Sequence, residues 1–325
     1  MKKLAAVLLG LWVAGCSSAP IRDPSPGPSS TAPETKAGPL TPPPPPPPPP
    51  SPVQVSPPKI ALVLGGGGAR GFAHIGVLRI LEREKVPIQL IVGTSVGSLI
   101  GGLYAAEGNL FEVEWKAFRI EKEDVFDFSF FSATTGPVKG EAIQEFVKKN
   151  FATLSIESFK IPFVAVAADL NTGELVEFTS GSVVEAVRAS ISIPGVFTPA
   201  IIRRRPLIDG GVVANVAVNV TRKHGADIVI AANITQNVVD YKVNDVVSIT
   251  LQAVNIMMSK MAESELKGAD VVITPALSDV GTMDFTQKKR CIEAGLKATE
   301  AVVAKIRESI AHYYQSRGGV PPDQK

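Results

Sequence analysis

From residue 59 onward, short apolar runs alternate with longer segments in which apolar residues recur every three or four positions. Short runs are typical of buried strands, and the longer spacing is typical of helices with one buried face. The predicted strands are 59–64, 88–92, 162–169, 175–179, 201–202, 207–208, 227–232 and 270–273. The predicted helices are 72–84, 96–106, 110–119, 141–150, 183–189, 246–266 and 286–310. This alternation predicts an α/β fold whose mostly parallel sheet is covered by helices on both faces.

The first residues follow a different pattern. Lys2 and Lys3 precede an apolar run at 4–14, which is typical of a secretory signal and shorter than the roughly 20 residues that span a bilayer. Residues 13–16 resemble the bacterial lipobox, so we expect a signal over 1–15 and a lipid on Cys16. Ordinary cleavage with loss of Cys16 is the alternative. The serine after this cysteine resembles the form sent to the outer membrane, which predicts an anchored protein facing the periplasm.

Residues 16–58 are rich in proline, serine and threonine, and positions 42–50 are all proline. Such a composition cannot bury a core, so it predicts a tether. The proline run favours the polyproline II conformation, with a rise of about 3.1 Å per residue. We therefore expect the folded part to begin near residue 59.

The composition argues against several kinds of binding site in this chain. The formal net charge of +2 does not indicate nucleic-acid binding. The three histidines lack a metal-ligand spacing, so no metal is expected, and no cofactor motif is evident. If Cys16 carries the lipid, Cys291 is the remaining cysteine and no intramolecular disulfide can form. The pattern does not indicate an oligomeric state.

The segment Gly-Thr-Ser-Val-Gly at 93–97 lies between a predicted strand and a predicted helix. A serine at the apex of such a turn is typical of a nucleophile elbow, in which Gly93 and Gly97 allow close backbone approach. Ser95 would then lie at the positive end of a helix, which favours the negative charge of an attacked carbonyl. An ordinary glycine-rich loop is the alternative.

A glycine-rich loop at 65–71 follows the first strand, and three chemistries compete for it. A Walker loop would need lysine and then serine or threonine after the last glycine, where Phe72 and Ala73 stand. A dinucleotide site would need an acidic residue at the end of the second strand, which ends in Val92-Gly93. The third possibility is an oxyanion hole made of backbone amides. Arg70 would either anchor this loop or meet an anionic head group.

A serine nucleophile needs a proton acceptor, and the usual acceptor is histidine. His74 lies inside a predicted helix, His224 precedes a glycine that is typical of a helix end, and His312 is near the chain end. A triad of Ser95, Asp169 and His224 remains an alternative. The other acceptor is Asp209, which ends a strand and is followed by two glycines.

These motifs, in this order, resemble those of the patatin-like phospholipases, a family that uses a Ser-Asp dyad. Residues 66–71 match the family's oxyanion loop, Ser95 its nucleophile and Asp209 its base. Residues 189–199 resemble the block that shapes the site between nucleophile and base. The resemblance covers about 59–232 and implies a three-layer α/β/α fold with a Ser nucleophile elbow.

The resemblance implies hydrolysis of fatty acyl esters of lipids through an acyl-enzyme. It implies an oxyanion hole at Gly66, Gly67 and Gly68, and the supporting motif residues are Arg70, Gly71, Gly93, Gly97, Gly210, Gly211 and Pro194. The phenylalanines in 126–131 would form an acyl pocket or a mobile cover, and filling of the core by a strand is the alternative. A lipid-binding protein without turnover and an acyltransferase are the alternative functions.

The domain organisation follows from these motifs. We expect a catalytic domain over 59–235, a part of helices and strands over 236–315 packed on the same domain, and a loose tail over 316–325.

Overall fold

The computed structural model describes residues 54–125, 138–235 and 246–320. The expected signal, the lipidated Cys16, nearly all of the tether and the phenylalanines at 126–131 lie outside the described residues, and their interpretation stays a prediction.

One sheet of eight strands organises the described residues. Its order is β5-β6-β3-β2-β1-β7-β8, and β4 pairs with β3. Strands β1, β2, β3, β7 and β8 pair in parallel, whereas β4 and β6 run antiparallel to β3. The strands are β1 Ile60–Leu64, β2 Ile88–Thr94, β3 Phe163–Asp169, β4 Leu175–Phe178, β5 Ala200–Ile202, β6 Arg205–Asp209, β7 Ile228–Ala232 and β8 Val271–Ile273.

Helices cover both faces of this sheet. They are α1 Ala73–Arg83, α2 Val96–Glu107, α3 Leu110–Phe118, α4 Lys122–Val125, α5 Glu141–Asn150, α6 Val183–Ser190, α7 Val218–Lys223, α8 Val246–Glu265, α9 Lys288–Glu300 and α10 Val303–Gln315. In β1, Ile60 and Leu62 belong to the core on one face, which includes side chains of α1, α2 and α9. Ala61 and Val63 belong to the core on the other face, with side chains of α7 and α8. The α/β fold with a mixed, mostly parallel sheet is therefore confirmed.

The single helix predicted over 286–310 is wrong. The structure has α9 and α10, separated at Ala301 and Val302, where Val302 leaves the helical conformation with φ −114°. Helix α9 buries Cys291 and Ala294, and α10 buries Ile306 and Tyr314. Because each helix keeps the helical spacing of apolar residues, the pattern conceals the break.

Helix α7 has no counterpart among the predicted elements, because its β-branched residues favour strands. Its end at Gly225, which has φ +77°, agrees with the glycine stop that the sequence predicts. Strand β8 pairs in parallel with β7, and α9 packs on α1, so elements after residue 246 contribute to the same sheet and core as those before 235. Within the described ranges, no helix has both the length and the apolar character needed to cross a bilayer.

Candidate active site

Ser95 stands at a sharp turn between β2 and α2. Its φ of +54° lies in a region that residues other than glycine seldom adopt. A Cβ atom on Gly93 would lie 2.5 Å from the Gly97 carbonyl oxygen, and one on Gly97 would lie 2.0 Å from the Leu64 carbonyl oxygen. Both positions therefore need glycine, and the turn has the geometry predicted for a nucleophile elbow.

Two other serines stabilise this turn by hydrogen bonds to the Ser95 backbone. The Ser95 amide donates a hydrogen bond to Ser190 Oγ at 2.9 Å. The Ser95 carbonyl accepts from the Ser98 amide at 2.8 Å and from Ser98 Oγ at 2.6 Å. Ser95 is only 2% exposed. The sequence did not single out Ser190, because its partner lies on a different element of the fold.

Asp209 ends β6 beside β3 and is 1% exposed. Its amide donates to the Ser192 carbonyl at 2.9 Å, and its Oδ1 accepts from the Gly211 amide at 2.8 Å. Burial raises the pKa of the Asp209 carboxyl to about 6, against the smaller lowering effects of the Ser95 hydroxyl and the Gly211 amide. The two side chains predicted as nucleophile and base are thus neighbours.

The second carboxylate oxygen of Asp209, Oδ2, is buried and makes no hydrogen bond of ordinary geometry within the described part of the chain. The contact between the Ser95 hydroxyl and this carboxyl is therefore looser than a normal hydrogen bond. Loose contacts of this kind are common between catalytic groups before substrate binds.

The backbone amides of the glycine loop differ in their hydrogen bonding. The Gly66 amide points to the Asn215 carbonyl oxygen at 3.4 Å, so its assignment to the oxyanion hole is corrected. The amides of Gly67 and Gly68 have no hydrogen-bond partner among residues 54–125, 138–235 and 246–320. Both glycines line a small cavity together with Ser95. The structure thus leaves two of the three predicted amides available to an oxyanion.

Buried contacts hold this loop against its neighbours. Arg70 is buried, and its Nε donates to the Val280 carbonyl at 2.8 Å, so it anchors the loop as one of the two interpretations predicted. A Cβ on Gly71 would lie 2.2 Å from Val96 Cγ2. Glycine at position 71 therefore lets the loop pack against the start of α2.

The turn after Asp209 is equally tight. A Cβ on Gly210 would lie 2.5 Å from the Val166 carbonyl oxygen of β3. Gly211 supplies the amide that holds the Asp209 carboxylate. Pro194 lies half-buried after Ile193, whose side chain lines the cavities next to the serine.

The alternative triad does not assemble. His224 Nε2 pairs with Glu177 Oε2 at 2.8 Å, and Asp169 Oδ2 accepts from Arg205 Nε at 2.6 Å. Neither group contacts Ser95, whose carboxylate neighbour is Asp209. The Ser-Asp-His order that the sequence left open is therefore wrong.

His74 supports the glycine loop instead. Its Nε2 makes a 2.8 Å hydrogen bond with the Gly65 carbonyl. Complete burial lowers the pKa of His74 to about 4, so the ring is neutral at physiological pH and must be the donor in this bond. His74 thus lies in the core on α1 and supports the glycine loop from below the site.

An apolar cavity with a free volume of about 30 Å³ opens beside Ser95. Its other lining residues are Gly68, Phe72, Val96, Leu99, Ile100, Ile120, Val125, Ile191, Ile193 and Phe285. A second cavity of about 10 Å³ is lined by Ser95 and Asp209 on one side and by Leu251, Val254 and Met258 of α8 on the other. The sequence did not predict that α8 covers these two residues. The described ranges contain no cluster of three side chains suited to hold a metal ion.

Comparison with known proteins agrees with this geometry. The family model described as patatin-like phospholipase matches residues 62–222. A 182-residue stretch is 38% identical to an uncharacterized NTE family protein of Mycobacterium bovis, covering 55% of this chain and 50% of that protein. A 181-residue stretch is 34% identical to lysophospholipase NTE1 of Scheffersomyces stipitis, covering 54% of this chain and 12% of that protein. The chain therefore spans at most half the length of either relative.

Among solved structures, VipD from Legionella pneumophila shares the fold, with a TM-score of 0.54 and 14% identity. The likeness covers 77% of this chain and 67% of VipD. The family that the sequence motifs resemble is thus confirmed. Through the domain that residues 62–222 form, this chain belongs to the patatin-like phospholipase family.

Proposed function

We propose that this chain is a serine acylhydrolase that cleaves fatty acyl esters of lipids. Ser95 is the nucleophile, Asp209 is the base, and the amides of Gly67 and Gly68 form the oxyanion hole. The proposal depends on one observation: the Ser95 hydroxyl and the Asp209 carboxyl are both buried and lie next to each other at the elbow. Family membership supports ester hydrolysis.

In the first half of the reaction, Asp209 takes the proton of the Ser95 hydroxyl as Ser95 Oγ attacks the acyl carbonyl carbon. The carbonyl oxygen becomes negative and accepts hydrogen bonds from the two glycine amides. One such donor typically contributes about 3 kcal/mol to transition-state stabilisation. The proton then passes from Asp209 to the leaving alkoxide, and the acyl group stays on Ser95. In the second half, water attacks the acyl carbon while Asp209 takes its proton. The bond to Ser95 Oγ then breaks, Ser95 Oγ takes the proton back, and the fatty acid is released.

The environment of Asp209 suits a base. An ordinary aspartate is a weak acceptor for a serine proton, and a pKa raised to about 6 brings the carboxylate closer to the operating pH. At pH 7 the carboxyl is still mostly ionised, so most molecules are in the reactive form. Burial therefore makes the Asp209 carboxylate more basic, while most of it stays ionised at pH 7.

A lipid substrate is supported by the apolar lining beside Ser95, which suits an acyl chain and offers few polar groups. The relative from Scheffersomyces stipitis is named a lysophospholipase, so we extend the proposal to phospholipids and lysophospholipids. The cavity of about 30 Å³ has space for about two water molecules by size, so a long acyl chain requires the lining side chains to move apart.

Helix α8 supports the same class of substrate. Its inner side chains cover the dyad, while Ile249, Ile256 and Met257 are exposed on its outer side. The helix has no charged residue between Val246 and Ser259. An exposed apolar surface of this kind suits contact with aggregated lipid.

The N-terminal residues extend the proposal to location. We propose that a lipid on Cys16 anchors the chain to the outer membrane on its periplasmic side, with 16–58 as the tether. This part is supported by the lipobox resemblance and by the composition of the tether.

Fluorophosphonate labelling combined with fatty-acid release tests the proposal. The full chain in mild detergent would be compared with Ser95→Ala, and with Ser264→Ala as a control, because Ser264 is an exposed serine of α8. We expect labelling and release in the wild type and the control, and neither in Ser95→Ala. A well-folded wild type without labelling or release would overturn the proposal in favour of a lipid-binding protein. The ratio of release from phospholipid vesicles to release from short-chain esters would measure the preference for lipid.

A further inference from the structure

Helix α3 is apolar on two sides. Its inner side is buried in the core at Leu110, Val113 and Ala117. On its outer side, Phe111 is 72% exposed, Trp115 is 60% exposed and Phe118 is 40% exposed. Spacings of four and three residues place these aromatic side chains in one row along the helix. Single exposed apolar residues are ordinary, whereas a contiguous row of large ones indicates an interaction surface.

The charged residues of α3 beside this aromatic row already have roles within the domain. Glu114 Oε1 accepts from Arg79 Nε at 2.8 Å, and Lys116 pairs with Glu107. Glu112 stands in the first turn, where a negative charge favours the amino end of a helix. These charges therefore stabilise the helix in its place and leave the aromatic row as its outer surface.

The polar neighbour of the aromatic row is Arg119. Its guanidinium carbon lies 5.7 Å from the centre of the Trp115 ring, and the side chain is exposed. Tryptophan and arginine both combine an apolar body with a polar tip, so they suit the boundary between lipid and water. A helix with such a face lies in the plane of a membrane surface.

The carboxyl end of α3 lies beside the larger active-site cavity. The Phe118 carbonyl accepts from Lys288 Nζ at 3.0 Å, and this nitrogen lies 5.6 Å from the centre of the Phe72 ring. Phe72 and Ile120 both line the apolar cavity beside Ser95. One end of the aromatic row therefore adjoins the wall of the cavity that we assign to the acyl chain.

The size of the aromatic row favours a lipid surface over a second copy of the chain. An aromatic side chain has about 150–250 Å² of surface, so the three exposed fractions amount to roughly 350 Å². A stable protein interface needs about 800 Å² from each partner. A bilayer sets no such minimum, because each ring that enters it contributes its own transfer free energy.

The chain before the domain points to the same partner. The proposed lipid on Cys16 and the tether over 16–58 would keep the domain near a bilayer. A tether of this composition sets the distance of the domain from its anchor and leaves the orientation open. A surface of the domain itself must then determine which side faces the lipid.

We propose that Phe111, Trp115 and Phe118 insert into the lipid surface and bring the cavity beside Ser95 next to it. This inference rests on the proposed function for the identity of the substrate, whereas the docking itself needs no turnover. Docking shortens the path of an acyl chain from the bilayer to the cavity. A short-chain ester dissolved in water needs no such path, so its hydrolysis should not depend on the aromatic row.

Trp115 reports on its own insertion, because the other tryptophan of the chain is Trp12. The test uses the full chain with Trp12→Phe as the parent protein, mixed with phosphatidylcholine vesicles. The parent is compared with a double variant, Phe111→Ser with Phe118→Ser, and with Ile201→Ser. Ile201 is 70% exposed on β5, so its replacement is the matched control.

Four quantities would be measured. Quenching of tryptophan emission by brominated acyl chains measures insertion, and quenching by iodide measures exposure to water before and after vesicles are added. Hydrolysis of phosphatidylcholine vesicles and of p-nitrophenyl butyrate measures the use of each substrate. Sedimentation without vesicles measures the oligomeric state.

We expect iodide to quench Trp115 in solution, and brominated lipid to replace iodide as the quencher on vesicles. The double variant should lose most of the quenching by lipid and at least about tenfold in the ratio of vesicle to short-ester hydrolysis. The control should lose neither, and all three proteins should hydrolyse p-nitrophenyl butyrate at rates within about twofold. Phe111→Ser alone covers the case in which the double variant does not fold, with a smaller loss in the same direction.

A parent protein that brominated lipid does not quench would overturn the inference. Protection of Trp115 from iodide before vesicles are added would also overturn it, in favour of a second copy if the protein sediments as a dimer, and otherwise of a segment of this chain outside the described residues. Unchanged quenching by lipid in the double variant would overturn it as well. A parent that lipid quenches but that hydrolyses neither ester would instead overturn the proposed function and leave the docking surface in place.

Discussion

Replacing Asp209 with asparagine should raise the free energy of unfolding while it abolishes turnover. The carboxylate is 1% exposed, and only one of its oxygens has a hydrogen bond of ordinary geometry. Burial therefore disfavours the charged form in the folded state. Asparagine has nearly the same shape and still offers an oxygen to the Gly211 amide, but it carries no charge and cannot accept the Ser95 proton.

The magnitude follows from the pKa. The folded protein raises the pKa of Asp209 from 3.8 to about 6, and one pKa unit corresponds to about 1.4 kcal/mol. Ionisation of this carboxyl thus costs the folded state on the order of 3 kcal/mol at neutral pH. Below the unfolded pKa both states are protonated and the cost is absent. It grows as the pH rises through the folded pKa and is constant above it.

Urea unfolding followed by tryptophan fluorescence, at one-unit steps from pH 4 to pH 8, measures this difference. His74 changes stability in the opposite sense over the same range, because its folded pKa of about 4 lies below its ordinary 6.5 and stability is lost as the pH falls. The pH profile of the wild type alone is therefore ambiguous. The difference between wild type and Asp209→Asn isolates the carboxyl and should grow from about 0.5 kcal/mol at pH 4 to about 3 kcal/mol at pH 8.

Asp169→Asn is the matched control. The hydrogen bond from Arg205 lowers the pKa of Asp169, so its charged form is favoured in the folded state and its replacement should reduce stability at pH 8. An Asp209→Asn protein that is less stable than the wild type at pH 8 would refute the argument that burial of this charge has a cost. Retained turnover in the same protein would refute its role as the base.

The remaining predictions concern activity and reactivity. The kcat/KM of the wild type should be constant above pH 7 and fall about tenfold per unit below pH 6, as Asp209 becomes protonated; a flat profile to pH 5 would contradict this. His224→Ala should keep most of the turnover, because this ring pairs with a glutamate away from the dyad; a large loss with intact folding would revive a histidine base. Gly68→Ala should reduce turnover about 100-fold or more, since its φ is +59° and a Cβ would lie 2.3 Å from a carbonyl oxygen. Gly173→Ala, with φ +74° and open space around it, should leave turnover unchanged and cost about 1 kcal/mol of stability. Cys291 should resist iodoacetamide in the native protein, because the thiol is buried and its pKa is raised to about 11, and mass spectrometry would detect any adduct.

Local features of this chain were readable from the sequence, because they depend on neighbours in the chain. The apolar runs located the strands, since side chains buried on both faces of a sheet must be apolar throughout. Glycines at 93 and 97 indicated the elbow, because the turn brings their backbone within contact of other backbone atoms. The order of these motifs indicated the family.

Contacts between distant segments were decided only by the tertiary structure. Asp209 becomes the neighbour of Ser95 because β6 pairs with β3, which in turn pairs with β2. The Gly66 amide is directed to the Asn215 carbonyl, away from the proposed oxyanion hole, because that carbonyl lies within reach. Nothing local to residue 66 reveals that partner.

The position of helix α8 over the site and the raised pKa of Asp209 could not be predicted from the sequence either. The apolar character of α8 is visible in the sequence, but the residues that this helix covers depend on how the chain crosses the sheet. The pKa of Asp209 depends on burial, which is a property of all the segments packed around it. Sequence alone therefore determined most of the strands and helices of this protein and indicated its candidate reactive groups. The fold decided which groups meet, because pairing, burial and hydrogen bonding join residues that are far apart in the chain.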